Sequence, residues 1–307
     1  PDFPTYPHIA RAGMAAIEQG LTRYTPAAGT MALREAIARD AGLRRGMRIE
    51  PRQVVVAPGA KPALFFPILA LVRPGDEVIY PDPGFPTYLA SIQVAGGTPV
   101  PVPLSEADDF SFDLEAFDAA LSERTRMVIL NSPGNPTGGV MPLRALEHIA
   151  AAARRRNLWV LSDEIYARLV FDGLSAPSIA ALPGMAERTI ICDGFSKTYA
   201  MTGWRLGYGI MPAGLAERVE LLLTHSVGCT ASFTQAAGIT ALSGPQEAVE
   251  AAVAEYQRRR DVLAAGLNAI PGVRCRVPQG AFYAFPNIQA LGKTADWWAD
   301  ALLETAG

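Results

Sequence analysis

Short apolar runs, most of them β-branched, punctuate the chain at residues 54–56 (Val-Val-Val), 77–80 (Glu-Val-Ile-Tyr), 127–130 (Met-Val-Ile-Leu), 158–161 (Leu-Trp-Val-Leu) and 189–192 (Thr-Ile-Ile-Cys). Segments with helical spacing of apolar residues separate most of them, as at Ala60–Leu71 and Leu143–Arg156. Strand, helix and strand repeated in this way predict an α/β fold, in which a mostly parallel sheet is covered by helices on both faces. The expected architecture is a three-layer α/β/α large domain.

The pattern changes after Pro212. A long helical stretch is expected from there through Leu221-Leu222-Leu223, ended by Ser243-Gly244-Pro245. A charged helix over 250–267, a strand-like patch at 273–277 and the segment Gly280-Ala281-Phe282-Tyr283-Ala284-Phe285-Pro286 then predict a smaller α+β domain. The expected divisions are an N-terminal arm with part of the small domain at 1–22, the large domain at 23–212, an interdomain helix at 213–243 and the small domain at 244–307. Trp297-Trp298 belongs to the small-domain core or an interface on this reading.

Composition narrows the partners. With 27 Lys+Arg against 30 Asp+Glu in 307 residues, the net charge of −3 offers no basic field for nucleic acid or an anionic membrane. No apolar run approaches the roughly 20 residues that span a bilayer, and Pro1-Asp2-Phe3-Pro4 is unlike a signal peptide, so a cytoplasmic protein is expected. Cys192, Cys229 and Cys275 are too scattered for a disulfide framework or a metal site. His8, His148 and His225 leave little material for zinc or Ser–His chemistry, and no metal ligands are assigned.

In an open parallel sheet, ligands bind beyond the carboxyl ends of the strands. Four polar loops follow the predicted strands: Asn131-Ser132-Pro133-Gly134-Asn135-Pro136-Thr137-Gly138, Ser162-Asp163-Glu164-Ile165-Tyr166, Asp193-Gly194-Phe195-Ser196-Lys197-Thr198 and Ala57-Pro58-Gly59-Ala60-Lys61. An amide, a carboxylate, a phenol and a lysine on one rim suit a pyridine-ring cofactor. Pyridoxal 5'-phosphate requires a lysine to hold it as a Schiff base, and an acid partner that keeps its ring nitrogen protonated so that the ring acts as an electron sink. Lys197 and Asp163 fit those roles, and Asn135 and Tyr166 suit the ring's 3'-oxygen. The phosphate would sit at the helix N-terminus after Gly59, with Arg205 pairing with its oxygens.

These segments, together with Ser196-Lys197-Thr198 through Thr202-Gly203-Trp204-Arg205-Leu206-Gly207, resemble the aspartate aminotransferase family (class I/II, fold type I). The likeness extends to Tyr24-Thr25-Pro26 with Gly29, to Pro81-Asp82-Pro83-Gly84-Phe85-Pro86-Thr87-Tyr88 and to Gly280-Ala281-Phe282-Tyr283, and so spans nearly the whole chain. The resemblance implies an aminotransferase that moves an amino group from an amino acid to a 2-oxo acid, with 2-oxoglutarate the expected acceptor, through a pyridoxamine intermediate. Lys197 would be both the Schiff-base lysine and the base that moves the substrate's proton. Asp163 would pair with the ring nitrogen, Asn135 and Tyr166 with the 3'-oxygen, and Phe85 would stack on the ring. Gly59, Ala60, Lys61 and Arg205 match the phosphate cup. Tyr24 matches a tyrosine that reaches the neighbouring subunit's cofactor, which implies a homodimer.

The chain departs from the family pattern in two places. Some members of the family place a phosphate-binding serine three residues before the lysine, where this chain has Gly194, which leaves Ser196 as the candidate hydroxyl. The family's arginine for the substrate α-carboxylate has no match. Because the chain starts at Pro1 without Met and closes on a helical stretch at 302–307, it is expected to be part of a longer product and, as given, to bind cofactor but turn over slowly. Residues 221–235 hold no arginine, which favours a neutral or aromatic donor over a dicarboxylic one. The same residues also serve β-eliminating lyases and related carbanion chemistry. A non-catalytic effector domain of a transcriptional regulator would need a DNA-binding segment, and nothing of that kind precedes Tyr24.

Overall fold

The computed structural model describes residues 2–306; Pro1 and Gly307, the glycine expected to end the last helix, lie outside the described residues. Eight strands form one sheet in the order β1-β8-β7-β6-β5-β2-β3-β4. The strands are β1 (Val54–Ala57), β2 (Glu77–Asp82), β3 (Thr98–Ser105), β4 (Ser111–Phe112), β5 (Thr125–Asn131), β6 (Trp159–Asp163), β7 (Thr189–Gly194) and β8 (Gly207–Ile210). The consecutive neighbours β3, β2, β5, β6 and β7 are parallel. The strand β8 runs antiparallel to both β7 and β1, so β1 points the same way as β7. The carboxyl ends of β1, β5, β6 and β7 therefore share one rim, as the α/β expectation requires.

Successive residues along each strand bury into opposite layers. Val55, Met127, Ile129, Leu161 and Ile190 pack with α3 (Ala60–Leu71), α4 (Thr87–Val94) and α7 (Ala213–Thr224). On the other face, Val54, Val56 and Ile191 pack with α1 (Pro7–Glu18), α2 (Met31–Arg45) and α8 (Ser232–Ser243), while Val128, Leu130 and Val160 pack with α6 (Leu143–Arg156). Each such side chain taken from water contributes about 1.5–3 kcal/mol, which is why both faces must be covered. The helix α6 follows directly from its sequence: Leu146, Ile149, Ala150 and Ala153 recur on the buried stripe, and Asn157 ends the helix in the left-handed region. Thr30 caps α2 by accepting the Leu33 N–H, and Gly46 closes it at φ 64.

Two expectations are corrected. The stretch 213–243 is not one helix but two, α7 and α8, separated by residues 225–231, where Gly228 adopts a positive φ that an α-helix cannot continue through. The patch 273–277 is not a strand. It makes one isolated bridge, Arg274 to Asn287, because the next amide, Cys275 N–H, turns to the Asn268 side chain instead of a second strand. The remaining helices are α5 (Leu114–Ala120), α9 (Glu247–Asn268), which includes the predicted 250–267, and α10 (Ala295–Ala306). Among the described residues no helix is long and apolar enough to cross a membrane.

Candidate active site

A cavity of about 230 Å³ opens on the shared rim. It is lined by residues from each of the four predicted loops, among them Lys61, Asn135, Asp163, Tyr166 and Lys197, and by Arg205 from beyond them. Phe85, Ala60 and Ser196 also line it, and Gly59 supports Arg205 from behind. Ten of the eleven residues singled out from sequence thus come together. Tyr24 does not: it stands at the surface, 97% exposed, away from the cavity of its own chain.

Asp163, the last residue of β6, is buried at the floor. Its Oδ2 accepts a hydrogen bond from the Tyr88 hydroxyl at 2.8 Å, and its Oδ1 accepts from the Ile165 N–H at 3.3 Å. Burial pushes its carboxyl up to about 6; the Tyr88 and Ile165 donors pull it back down, and the nearby Asp193 and Glu164 charges push it up. No salt bridge reaches Asp163 among the described residues, so a desolvated carboxylate faces the cavity without a cation.

Lys197 follows β7 on a turn and stands half-buried, with its Nζ 5.7 Å from the centre of the Tyr166 ring and 5.2 Å from that of Phe282. Burial lowers its ammonium below the ordinary lysine range, the Arg205 charge lowers it further, and Asp163 restores part of the shift. The shift is toward the neutral, nucleophilic amine. The Tyr166 hydroxyl shares a 2.6 Å hydrogen bond with that of Tyr283, and burial followed by that bond raises the Tyr166 phenol. The Asn135 N–H donates to Asn131 Oδ1 at 2.7 Å, which anchors the loop carrying its side chain.

At the opposite end, α3 begins at Ala60 with its first backbone N–H groups unpaired within the helix, and it points its positive end at the cavity. Arg205 lies across that end. Its guanidinium donates only to the backbone carbonyls of Thr202 (3.0 Å) and Pro58 (3.5 Å). Gly59 makes this possible: at φ 88, a Cβ built there would lie 2.1 Å from Arg205 Nη2. Gly59→Ala should therefore displace Arg205 and weaken binding of a phosphate-bearing ligand by at least about tenfold in an equilibrium titration; unchanged affinity would show that Arg205 is not part of the anion site. A side chain at Gly194 would be crowded too, because its Cβ would lie 3.0 Å from Gly207 Cα.

Sequence reasoning missed Tyr88, Tyr283 and Asn131 as site residues. Tyr88 carried one usable signal: it lies three residues after Phe85, close enough in a helical turn to share its face, and the two rings pack edge to face at 5.7 Å.

Residues 1–307 match the family model described as Aminotransferase class I and II. An aspartate aminotransferase from Pinus pinaster is 43% identical over 295 residues, which cover 94% of this chain and 60% of that protein, so the chain spans less than two-thirds of that relative's length. An aspartate aminotransferase from Geobacillus stearothermophilus is 39% identical over 312 residues, covering all of this chain and 79% of that one. Among solved structures, an aromatic aminotransferase from Pyrococcus horikoshii superposes with a TM-score of 0.97 at 39% identity, over 100% of this chain and 83% of the other. With the sheet order, the rim and the lysine and carboxylate in place, the chain belongs to the class I and II aminotransferase family and has its fold type I architecture.

Proposed function

We propose that the chain is a pyridoxal-phosphate-dependent aminotransferase that passes the amino group of an amino acid to a 2-oxo acid, with 2-oxoglutarate as acceptor. The observation that carries this reading is the polarity of the cavity. A buried carboxylate that no salt bridge reaches closes one end, a helix N-terminus with a guanidinium bonded only to backbone carbonyls among the described residues closes the other, and an amine of lowered proton affinity stands between them. That donor set fits a ligand with a protonated ring nitrogen, a carbonyl and a phosphate. When bound, pyridoxal phosphate supplies the electron sink that makes the substrate's Cα–H bond breakable.

The chain's own residues do the rest. Asp163 holds the proton on the ring nitrogen by charge pairing, and Tyr88 holds Asp163 in place. Asn135 and Tyr166 would offer side-chain hydrogen bonds to the ring oxygen, and Phe85 would pack against the ring. Ala60, Lys61 and Arg205 would bind the phosphate, with Ser196 as the added hydroxyl. Lys197, once its amine is free, would be the base that takes the proton from the substrate Cα and holds it. Tyr24, exposed and outside its own cavity, supports a homodimer in which it completes the partner's phosphate site. The lack of arginine in residues 221–235 supports a neutral or aromatic donor, and relatives named for aspartate, for aspartate and prephenate, and for aromatic amino acids define the panel to assay.

Titrating the protein with pyridoxal phosphate should produce a visible absorption band that becomes permanently attached to Lys197 on borohydride reduction. Adding an amino donor should bleach that band in stoichiometric amount, and 2-oxoglutarate should restore it. Absence of the band overturns the cofactor assignment, and release of ammonia and pyruvate from the donor overturns transamination.

A further inference from the structure

On the opposite face of the sheet from Asp163, at the same strand ends, lies a buried ion cluster that none of the roles above uses. Arg45, in the last turn of α2, has a side chain only 4% exposed. Its Nε donates to Glu164 Oε2 at 2.7 Å and its Nη2 donates to Asp193 Oδ2 at 2.9 Å. Glu164 follows Asp163 in the chain, and Asp193 follows Cys192, the residue that pairs with Asp163 across β6 and β7. The other oxygen of Glu164 accepts from the Ser162 and Ser178 hydroxyls at 2.9 and 2.6 Å. Asp193 also accepts from the Gly194 N–H at 2.7 Å and the Tyr208 hydroxyl at 2.9 Å. Arg44 reaches Asp193 only at 3.4 Å and commits its Nε to Asp40. Arg45 therefore bridges two buried anions, one of them shared with Arg44, and both lie beside a third carboxylate that no salt bridge reaches among the described residues.

We propose that Arg45 is a positioning residue for the cofactor carboxylate: by neutralising Glu164 and Asp193 behind the sheet, it keeps Asp163 ionised at neutral pH and able to hold a protonated ring nitrogen. The inference rests on the cofactor assignment above. In a water-poor interior, an uncompensated charge acts over several ångströms with little screening. The groups facing Asp163 are Tyr88 from α4, Cys192 and Asp193 from β7, Glu164 and Tyr166 from its own loop, and Lys197 across the cavity. Within that set, Asp193 and Glu164 already push the Asp163 carboxyl upward with Arg45 in place. Burial opposes ionisation of Asp193 as well, yet Arg44 and Arg45 hold its carboxyl below the usual range. Without Arg45, Glu164 would lose its cation and Asp193 would keep only the looser contact with Arg44, so both anions would act on Asp163 more strongly.

The test is the acid limb of pyridoxal phosphate affinity, measured by equilibrium titration as a function of pH. The ligand's own ionisations are common to all variants, so differences in midpoint report Asp163. Arg45→Met should raise the midpoint by about one pH unit, Glu164→Gln should lower it by about half a unit, and Arg45→Met/Glu164→Gln should return to within about 0.3 unit of the wild type. Lost packing alone would leave the double variant at least as displaced as the single one, and that result overturns the proposal. Equal midpoints for the wild type and Arg45→Met also overturn it. If Arg45→Met does not fold, Glu164→Gln decides alone, and no downward shift counts against the proposal. A wild type that binds no pyridoxal phosphate at any pH overturns the cofactor assignment itself, a different result from any of these.

Discussion

Lys197→Ala should lower the rate of amino-group transfer by at least about 10³-fold while leaving the fold intact. A positioned general acid or base contributes about 10²–10⁴-fold, and this lysine has a second duty as the cofactor's covalent anchor. Among the described residues the other amine lining the cavity is that of Lys61, which is exposed and stands 5.5 Å from the centre of the Phe85 ring. Lys197 takes part in no salt bridge among the described residues, and burial disfavours its charge, so removing it strands no partner. Steady-state transfer assays beside thermal melts check both halves. A variant within tenfold of the wild-type rate, or one that melts early, would show that Lys197 is held for structure and not for chemistry.

Much of this site was legible because the residues that carry it sit immediately after strands, and those strands announce themselves as apolar β-branched runs. What stayed hidden has specific causes. The strand β3 carries Pro99, Pro101 and Pro103, a pattern that argues against a strand. It tolerates them because the ladder to β2 uses the alternate residues: the Thr98 N–H donates toward β2, at Asp76, while the Pro103 carbonyl faces the outer side, where only the two-residue β4 pairs. The strand β8 is masked by Gly207 and Gly209. Gly207 is required because a Cβ there would lie 2.4 Å from the Ala60 nitrogen, at the start of the anion-binding helix. In this case the residue that hides the strand from pattern reading also lets the site approach so closely. Tyr88 and Tyr283 were missed for another reason. Their partners Asp163 and Tyr166 lie 75 and 117 positions away, and no local spacing encodes a contact of that range.

Asp163→Asn should make the cofactor-free protein more stable at neutral pH and the enzyme far worse. The carboxyl titrates at about 6 in the folded chain against 3.8 ordinarily. Below about pH 4 it is protonated in both the folded and the unfolded chain and carries no penalty. Between about 4 and 6 the unfolded chain ionises first, and above about 6 the full penalty falls on the fold. A shift of about two units corresponds to about 3 kcal/mol at pH 7. Asparagine keeps an oxygen to accept from Tyr88 and has no charge to desolvate, so urea unfolding at pH 7 should show a gain of up to about 3 kcal/mol that vanishes near pH 4. The same neutral amide cannot balance a protonated ring nitrogen, and loss of one partner of a buried charge pair is worth about 3–5 kcal/mol, so cofactor affinity and transfer rate together should fall by at least about 10²-fold. The two results have opposite signs for a reason. A packing or capping role for Asp163 would make the variant less stable at pH 7, and a solvated role would leave stability unchanged at every pH. Only a carboxylate kept ionised against the preference of its surroundings, to meet a cation that arrives with the ligand, yields a protein that folds better and works worse when the charge is removed.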